Sequence, residues 1–410
     1  GAFKVEFIHL NHNIPDAGGL AIRTPEGILL HATDYKFDPT PVNDKPADFA
    51  KIAKLAGEGI LALLSDSTGA ETPGHSISEQ MVKKNLEEIF KKASGRIILA
   101  TFSSLLTRIQ QVVDLAEKYD KKVAVDGYSM KSNVEIARQL GYLKIKKGTL
   151  VPMDEIMKYP LAKTVVVCTG AQGEGSAVLM RIANGEHRFV KIRKGDAVIF
   201  SSSVVPGNER TVQDLKDLLA KQGAKLYHYK LMDIHSGGHA PVEDLKIMIK
   251  MAKPKFFIPI HGNFYLLRLH ADLAESVGIL PENIAIPENG QVMELTKEKI
   301  ILTEERAPSN YIMVDGLGVG DVGEVVLRDR QMISKDGIFV VIVVIDSLTG
   351  KIKGSPDIIS RGFIYLRESK ELMAQTRKKI REIVAKTSAA EHAVNWVYVK
   401  DNLRDKVGQF

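Results

Sequence analysis

The chain has 410 residues, 44% of them hydrophobic and 26% charged, enough for two or three ordinary globular domains. A formal charge of +6 and a pI near 9.0 permit an anionic partner such as nucleic acid without specifying one. No apolar run approaches the ~18 residues of a membrane-spanning helix. The single cysteine, Cys168, excludes an intramolecular disulfide framework and fits a reducing cytosol.

Residues 1–67 read as strands joined by short turns. VEFIHLNHNIPDAGG is a strand that breaks into a polar loop carrying His12. LAIRTPEGILLHATDYKFD is a hairpin turning at Pro25-Glu26-Gly27, and its second arm runs into His31 and Asp34. ILALLSDST is a buried strand with Asp66 at its C-terminal end. Acidic and imidazole groups thus recur at strand ends, the edge of a layered sheet where sites form.

Residues 68–230 alternate helix and strand. Helices are predicted over Ser78–Lys92, with Ser76 or Ser78 as cap, and over Leu105–Tyr119, Val134–Leu140 and Thr211–Lys221. RIILATF, KKVAVDG, TVVVCTG, KGDAVIFSSS and AKLYHYK are the strands, and Cys168 in the third reads as a small buried residue rather than a nucleophile. The rhythm implies a largely parallel sheet covered by helices. Three loops closing its strands are rich in small polar residues: TFSS at 101–104, TGAQGEG at 169–175 and SSSVVPGNE at 201–209. Their N–H groups and hydroxyls can hold phosphate oxygens, or they can be plain turn chemistry.

The most informative stretch is 231–264, LMDIHSGGHAPVEDLKIMIKMAKPKFFIPIHGNF. A Gly-broken loop with His235 and His239 leads into a helix opened by Pro241, on which Leu245, Met248, Ile249 and Ala252 share one face. The apolar run Phe256–Ile260 stops at His261-Gly262. His235, His239 and His261 therefore sit at element ends, where a rigid frame presents functional groups. A helix, LLRLHADLAESVG, and a strand, GQVMEL, follow, and a new segment begins near Ala307-Pro308-Ser309. In it GLGVGDVGEVV matches GxGxxG at Gly318, Gly320 and Gly323. A dinucleotide site is rejected there because the residues that follow look strand-like, which makes the glycines hairpin turns. Residues 310–366 read as strands and Glu368–Ala385 as a basic amphipathic helix.

Histidine and aspartate at strand ends, without paired cysteines, point to a cation held by nitrogen and oxygen, zinc or manganese above others. Two such ions ~4 Å apart activate water and stabilise the leaving oxygen of a phosphodiester, and an aspartate with its two oxygens suits a bridge between them. The residue pattern alone stops at a metallohydrolase or a phosphate-binding α/β protein, since no HxHxDH cluster occurs.

In order along the chain, HLNHNIPDAGG, LLHATDYKFD, LLSDST, TFSSLLTRIQQ, TGAQGEG, SSSVVPGNE, IHSGGHA and PKFFIPIHGN resemble the motifs of ribonuclease J, the bacterial and archaeal β-CASP metallo-β-lactamase nucleases. VDGLGVGDVGEVVLRDR and PDIISRGFIY are similar to that family's C-terminal domain. The resemblance implies an α/β fold: a partial metallo-β-lactamase αββα sandwich from 1–67 and 231–306, an inserted β-CASP α/β parallel-sheet domain at 68–230, and a small, incomplete α+β C-terminal domain at 307–410. It implies a metal-dependent ribonuclease of RNA processing and decay, acting 5′ to 3′ and also endonucleolytically. RNA would be its partner, with a homodimer or higher oligomer formed through the C-terminal domain, no membrane, and a cytoplasmic location. A complete site would hold two Zn2+, with Mn2+ or Mg2+ as alternatives. His12, Asp34 and His261 are implied as metal ligands, Asp34 as the bridge. Asp66 would orient ligands or a water, and His239 would contact the scissile phosphate and protonate the leaving oxygen. His235, Gly237, Gly238, Ser103, Ser104, Ser201, Ser202 and Ser203 would hold RNA or its 5′ phosphate, with Arg108, Arg210 and Arg361 as further contacts.

The sequence also departs from the family pattern. Thr33 stands where glycine is usual, and its β-carbon is expected to press on the backbone beside Asp34. Gly237 replaces a phosphate-contacting serine, which argues against tight recognition of a 5′ monophosphate. Asn263 replaces glutamate, Asn13 serine, and Gly69 asparagine. The HxHxDH motif is absent, so the chain reads as a fragment without the first part of the catalytic domain and the family's last strand, and is expected to be inactive alone. Two other readings stay open: a non-catalytic RNA-binding or scaffold paralogue, and a metallohydrolase of another substrate.

Overall fold

Alternating apolar residues and the Pro25-Glu26-Gly27 turn build the first strands as the pattern predicts. The computed structural model describes residues 1–410 apart from 316, 317, 320–322, 348, 363–369 and 388–394, and the side chains of 315, 318, 319 and 324 are left aside. Two units divide the chain, Gly1–Pro308 and Ser309–Phe410.

The first unit opens with β1 (Lys4–His9), β2 (Gly18–Arg23), β3 (Ile28–His31), α1 (Phe49–Glu58) and β4 (Ile60–Asp66). Helix and strand then alternate: α2 (Glu79–Lys92), β5 (Ile97–Ala100), α3 (Leu106–Lys118), β6 (Lys122–Asp126), α4 (Tyr128–Gln139), β7 (Thr164–Cys168), α5 (Val178–Ala183), β8 (Ala197–Phe200), α6 (Glu209–Lys221) and β9 (Lys225–His228). After them come α7 (Val242–Ala252), β10 (Phe256–Ile260), α8 (Phe264–Ser276), β11 (Gln291–Leu295) and β12 (Ile300–Arg306).

Ten of these strands form two five-stranded sheets, and β11 pairs antiparallel with β12. The first has the order β1-β2-β3-β4-β10, antiparallel over β1–β3 and parallel over β3, β4 and β10. Strand β10, far along the chain, returns to lie beside β4 with Ile260 opposite Asp66. The second sheet, β6-β7-β5-β8-β9, is parallel throughout, as the βα rhythm predicts. One face of the first sheet packs on α1, α7 and α8 through Leu30, Leu63, Phe257, Ile52, Leu245, Met248, Ile249 and Ala274. Burying each of the large side chains among them contributes roughly 1.5–3 kcal/mol. The second sheet is buried on both faces, with α2, α3 and α4 on one side and α5 and α6 on the other. Cys168 lies inside that core, and burial pushes its thiol far above the ordinary range, so it is no nucleophile.

Local expectations need correction in this unit, where α5 lies in a stretch for which no helix is predicted. Residues 49–58, read as part of a strand-and-turn region, form α1. Asp48 caps it by accepting from the Lys51 N–H, and Ile52 and Leu55 bury its inner face. Helix α4 begins at Tyr128, well before the predicted Val134, because Gly127 at φ +110° turns the chain straight out of β6.

In the second unit, β13 (Val314–Asp315) and β14 (Gly318–Val319) pair antiparallel. They precede α9 (Glu324–Asp336), β15 (Ile338–Ile342), β16 (Asp357–Arg361), α10 (Lys370–Thr387) and α11 (Trp396–Gly408). Strands β13 and β14 pair as a hairpin would, but Gly318 lies on β14 and Gly323 caps α9, so neither is the hairpin turn expected of it. The residues after Gly323, however, are helical and not strand-like; Val325-Val326 misled, while the polar run behind them suits a helix. Gly320 lies outside the described residues. Strands β15 and β16 pair antiparallel, and Ile358, Met373 and Ile380 form the centre of this unit with Phe339, Val341, Leu403 and Val407 around them.

Candidate active site

Because β3, β4 and β10 are parallel neighbours, their C-terminal ends lie along one pole of the first sheet. Asp34 follows β3, Asp66 ends β4, and His261 follows β10. His12 enters from the loop after β1, which an Asn11–Lys36 bridge holds to the segment beyond Asp34. The side chains converge. His261 Nδ1 is 2.7 Å from Asp34 Oδ1 and 3.6 Å from Asp66 Oδ1, and His12 Nε2 is 4.0 Å from Asp34 Oδ2. His239 Nδ1 is 2.6 Å from Asp66 Oδ2, and its ring stands 5.1 Å from that of His12. Donor atoms of Asp34, Asp66 and His239 all lie within 4.8 Å of one another.

Backbone strain concentrates on the same pole. His261 has φ +61° and Gly262 +85°, so the chain reverses sharply out of β10 into α8. Thr33 has φ +51°, a left-handed conformation that a β-branched residue rarely adopts. The expected pressure beside Asp34 is met in this way, with the Thr33 hydroxyl donating to the Gly18 carbonyl at 3.2 Å.

Asp66 is fully buried and saturated. Its Oδ1 accepts from the Thr68 N–H at 3.0 Å and the Thr68 hydroxyl at 2.7 Å, while Oδ2 faces His239. Burial opposes its charge, yet the His239 and Thr68 hydrogen bonds prevail and hold its carboxyl below the ordinary value. His239 responds in kind: burial pulls its pKa down, but Asp66 raises it above the usual histidine value. His12 is lowered, chiefly by burial. Its Nδ1 is 2.7 Å from the Gly238 carbonyl, which fixes the proton there and leaves Nε2 facing Asp34.

The remaining predicted contacts separate. Gly237 is exposed, with no atom within 4 Å of where a β-carbon would stand, whereas a β-carbon on Gly238 would come 2.5 Å from the His12 ring. Ser104 and Ser203 are exposed, and Ser103 is half-buried with its carbonyl accepting from Asn133 at 2.9 Å. Ser201 and Ser202 do not present free hydroxyls. Ser201 donates to the Ile234 carbonyl at 2.7 Å and accepts from Arg108; Ser202 is buried against Gln172. Arg108 is likewise not a surface cation: it is fully buried and bonded to Glu79 at 2.7 Å. His235 is buried next to Phe102 and pushed down to about 3 by burial and by Arg108, so it is neutral at physiological pH. Arg210 is exposed on α6, and Arg361 is exposed on β16 in the second unit.

Three family models match the chain. "Ribonuclease J, beta-CASP domain" covers residues 94–219, "Zn-dependent metallo-hydrolase RNA specificity domain" covers 228–287, and "Ribonuclease J C-terminal domain" covers 325–410. The chain is 41% identical over 400 residues to "Ribonuclease J 1" of Streptococcus pyogenes serotype M3, spanning 97% of this chain and 71% of that protein. The chain belongs to the ribonuclease J family. "Ribonuclease J2" of Bacillus subtilis is 37% identical, over 99% of this chain and 73% of that protein. "Ribonuclease J 2" of Staphylococcus aureus strain NCTC 8325 is 36% identical, over 99% and 72%. The fold is accordingly the metallo-β-lactamase type with a β-CASP insertion, the second sheet forming the insertion.

A metal cofactor goes with this membership, and the residues present suit one. Imidazole nitrogens and carboxylate oxygens converge, and His12 Nδ1 is engaged by a backbone carbonyl, an outer hydrogen bond of the kind that orients metal-binding histidines. Among the described residues no helix is long and apolar enough to cross a membrane. Sequence reasoning missed Thr68, which locks Asp66, and the buried residues Lys36 and Glu79 behind the pole. A lysine set between aromatics in DYKF was the one available signal for Lys36.

Proposed function

We propose that the protein hydrolyses RNA phosphodiester bonds with a metal cofactor; its relatives are named ribonucleases, and the matching family model is described as a Zn-dependent metallo-hydrolase RNA specificity domain. The carrying observation is Asp34: one oxygen is approached by His261 and the other by His12, so its carboxylate would be placed to hold a cation on either side. His12, Asp34 and His261 would hold the metal, and zinc suits the mixed nitrogen and oxygen donors, two ions per complete site, with Mn2+ or Mg2+ as substitutes. The metal supplies an activated water and charge for the leaving oxygen. His239 serves as general acid. Asp66 accepts from its Nδ1, which leaves Nε2 to carry a proton toward the leaving oxygen, and Asp66 favours the protonated ring. The exposed Gly237, Ser104 and Ser203 would line the way for the RNA backbone. Action from the 5′ end, endonucleolytic cutting, a cytoplasmic site and assembly through the second unit complete the reading.

The test is cleavage of 5′-labelled single-stranded RNA by the gene product that contains this chain, with zinc or manganese. Wild type is expected to cut, and Asp34→Ala to lose at least a thousandfold in rate while keeping its fold by circular dichroism. RNA bound but not cut by the wild type would favour the scaffold reading instead; metal-dependent hydrolysis of other phosphodiesters but not RNA would favour another substrate.

A further inference from the structure

The strap of residues 234–239 is held from two sides. Toward the metal pole, the Gly238 carbonyl meets His12 Nδ1 at 2.7 Å and His239 meets Asp66 at 2.6 Å. Away from it, the strap joins a buried ionic cluster centred on Glu79. This residue opens α2, where the chain passes from the first sheet into the parallel-sheet lobe. Its Oε2 accepts from Arg108 Nη2 at 2.7 Å and from Gln111 Nε2 at 2.9 Å, and its Oε1 accepts from Lys36 Nζ at 3.2 Å. Arg108 Nη1 in turn donates to the Ile234 carbonyl at 2.6 Å, and Lys36 Nζ to the Ser236 hydroxyl at 2.9 Å. Ile234 and Ser236, on either side of His235, are therefore tied to two cations that share one carboxylate.

All three charged groups are buried. Two cations against one anion, out of water, is not an arrangement that stability alone favours, since apolar replacements of such clusters are often neutral or stabilising. What the cluster does fix is the strap. The strap has no slack at its other end, because Gly238 already lies against the His12 ring. A displacement of ~1 Å in a reacting group can cost about a hundredfold in rate.

We propose that Glu79 is a positioning residue for RNA cleavage: by holding Arg108 and Lys36 together it sets where the strap lies, and so places His239 against Asp66 and the scissile phosphate. This rests on the ribonuclease reading above. The test compares kcat and KM on single-stranded RNA for wild type, Glu79→Gln, Lys36→Met and Asp196→Asn in the metal-loaded gene product. Asp196→Asn is the control, because it breaks an equally buried ion pair, Arg96–Asp196 at 2.7 Å, that makes no contact with the strap. Glu79→Gln and Lys36→Met are expected to lower kcat at least tenfold with KM changed less than twofold, and Asp196→Asn to keep its kcat. Lys36→Met leaves the Glu79–Arg108 pair intact and evens the buried charge, so its melting temperature should stay near wild type and it decides the matter if Glu79→Gln does not fold. A Lys36→Met protein with wild-type kcat would overturn the proposal, as would an Asp196→Asn protein slowed as much as Glu79→Gln. Wild type that cuts no RNA would instead remove the ribonuclease reading beneath it.

Discussion

Gly237 is where one missing hydroxyl changes what the strap can bind. The position is exposed and open, and its φ is not in the left-handed region, so a serine fits without moving anything. Gly69 offers no such freedom, because a β-carbon there would stand 2.2 Å from the Ala240 carbonyl oxygen; asparagine could enter only if the backbone of the strap's far end shifted. The two departures from the family pattern thus differ in kind, one a vacancy and the other a close approach. Gly237→Ser is expected to tighten binding of a 5′-monophosphorylated oligonucleotide about tenfold relative to its 5′-hydroxyl counterpart, the effect of one added hydrogen bond to a charged oxygen at about 1.5 kcal/mol. Fluorescence anisotropy on the two oligonucleotides measures it, and an unchanged ratio would show that the strap does not face the 5′ phosphate.

At the scale of elements, Ser76 and Ser78 divide two tasks that the sequence left undecided. Ser78 caps α2, its hydroxyl accepting from the Met81 N–H at 3.2 Å, whereas Ser76 donates to the buried Asp244 of α7 at 2.6 Å. Ser78→Ala is expected to lower unfolding stability by about 1 kcal/mol without touching RNA cleavage; a denaturant midpoint unmoved within error would mean that the cap contributes nothing. The example shows where legibility ended. Helix and strand alternation over α2 to β9 was readable except at the short α5, because the longer helices and the strands carry a strong apolar period. The returning strand β10 was readable because FFIPI stops dead at His261. Helix α9 was not, because Val325-Val326 look strand-like, and α1 was passed over although Phe49, Ile52, Leu55 and Ala56 recur at helical spacing. The metal-pole residues could be named from motifs at strand ends, but their convergence is a property of register: Ile260 opposite Asp66 and His31 opposite Leu64 bring distant positions level. Arg108 and Ser201 were misplaced for the complementary reason. Polar residues near strand ends look alike in sequence whether they face solvent or close a buried network, and only packing separates them.

For the molecule as a whole, buried titratable groups predict how the first unit responds to acid. His235 and His270 are pushed down to about 3 by burial, and Glu79 is held down to about 2 because Arg108 and Lys36 overcome the cost of burying its charge. Above pH 6.5 both histidines are neutral whether the chain is folded or not, so they leave stability unchanged. Between pH 6.5 and 3 the unfolded chain binds a proton at each while the folded chain does not, and stability falls by about 1.4 kcal/mol per pH unit per histidine. Glu79 adds to the slope below about 4.5, where its unfolded form begins to take up a proton that the folded form refuses. The contribution of these three groups should therefore be flat near neutrality and fall with steepening slope below pH 6.5. His270→Gln, which can keep a hydrogen bond to the Ser67 hydroxyl now 3.0 Å away, removes one titrating site. Denaturant titrations between pH 7 and 4.5 should show its slope reduced by about 1.4 kcal/mol per unit relative to wild type. Parallel slopes for the two proteins would mean that His270 takes up its proton in the folded state as readily as in the unfolded one, and that its burial is relieved by an opening of α8 from the first sheet.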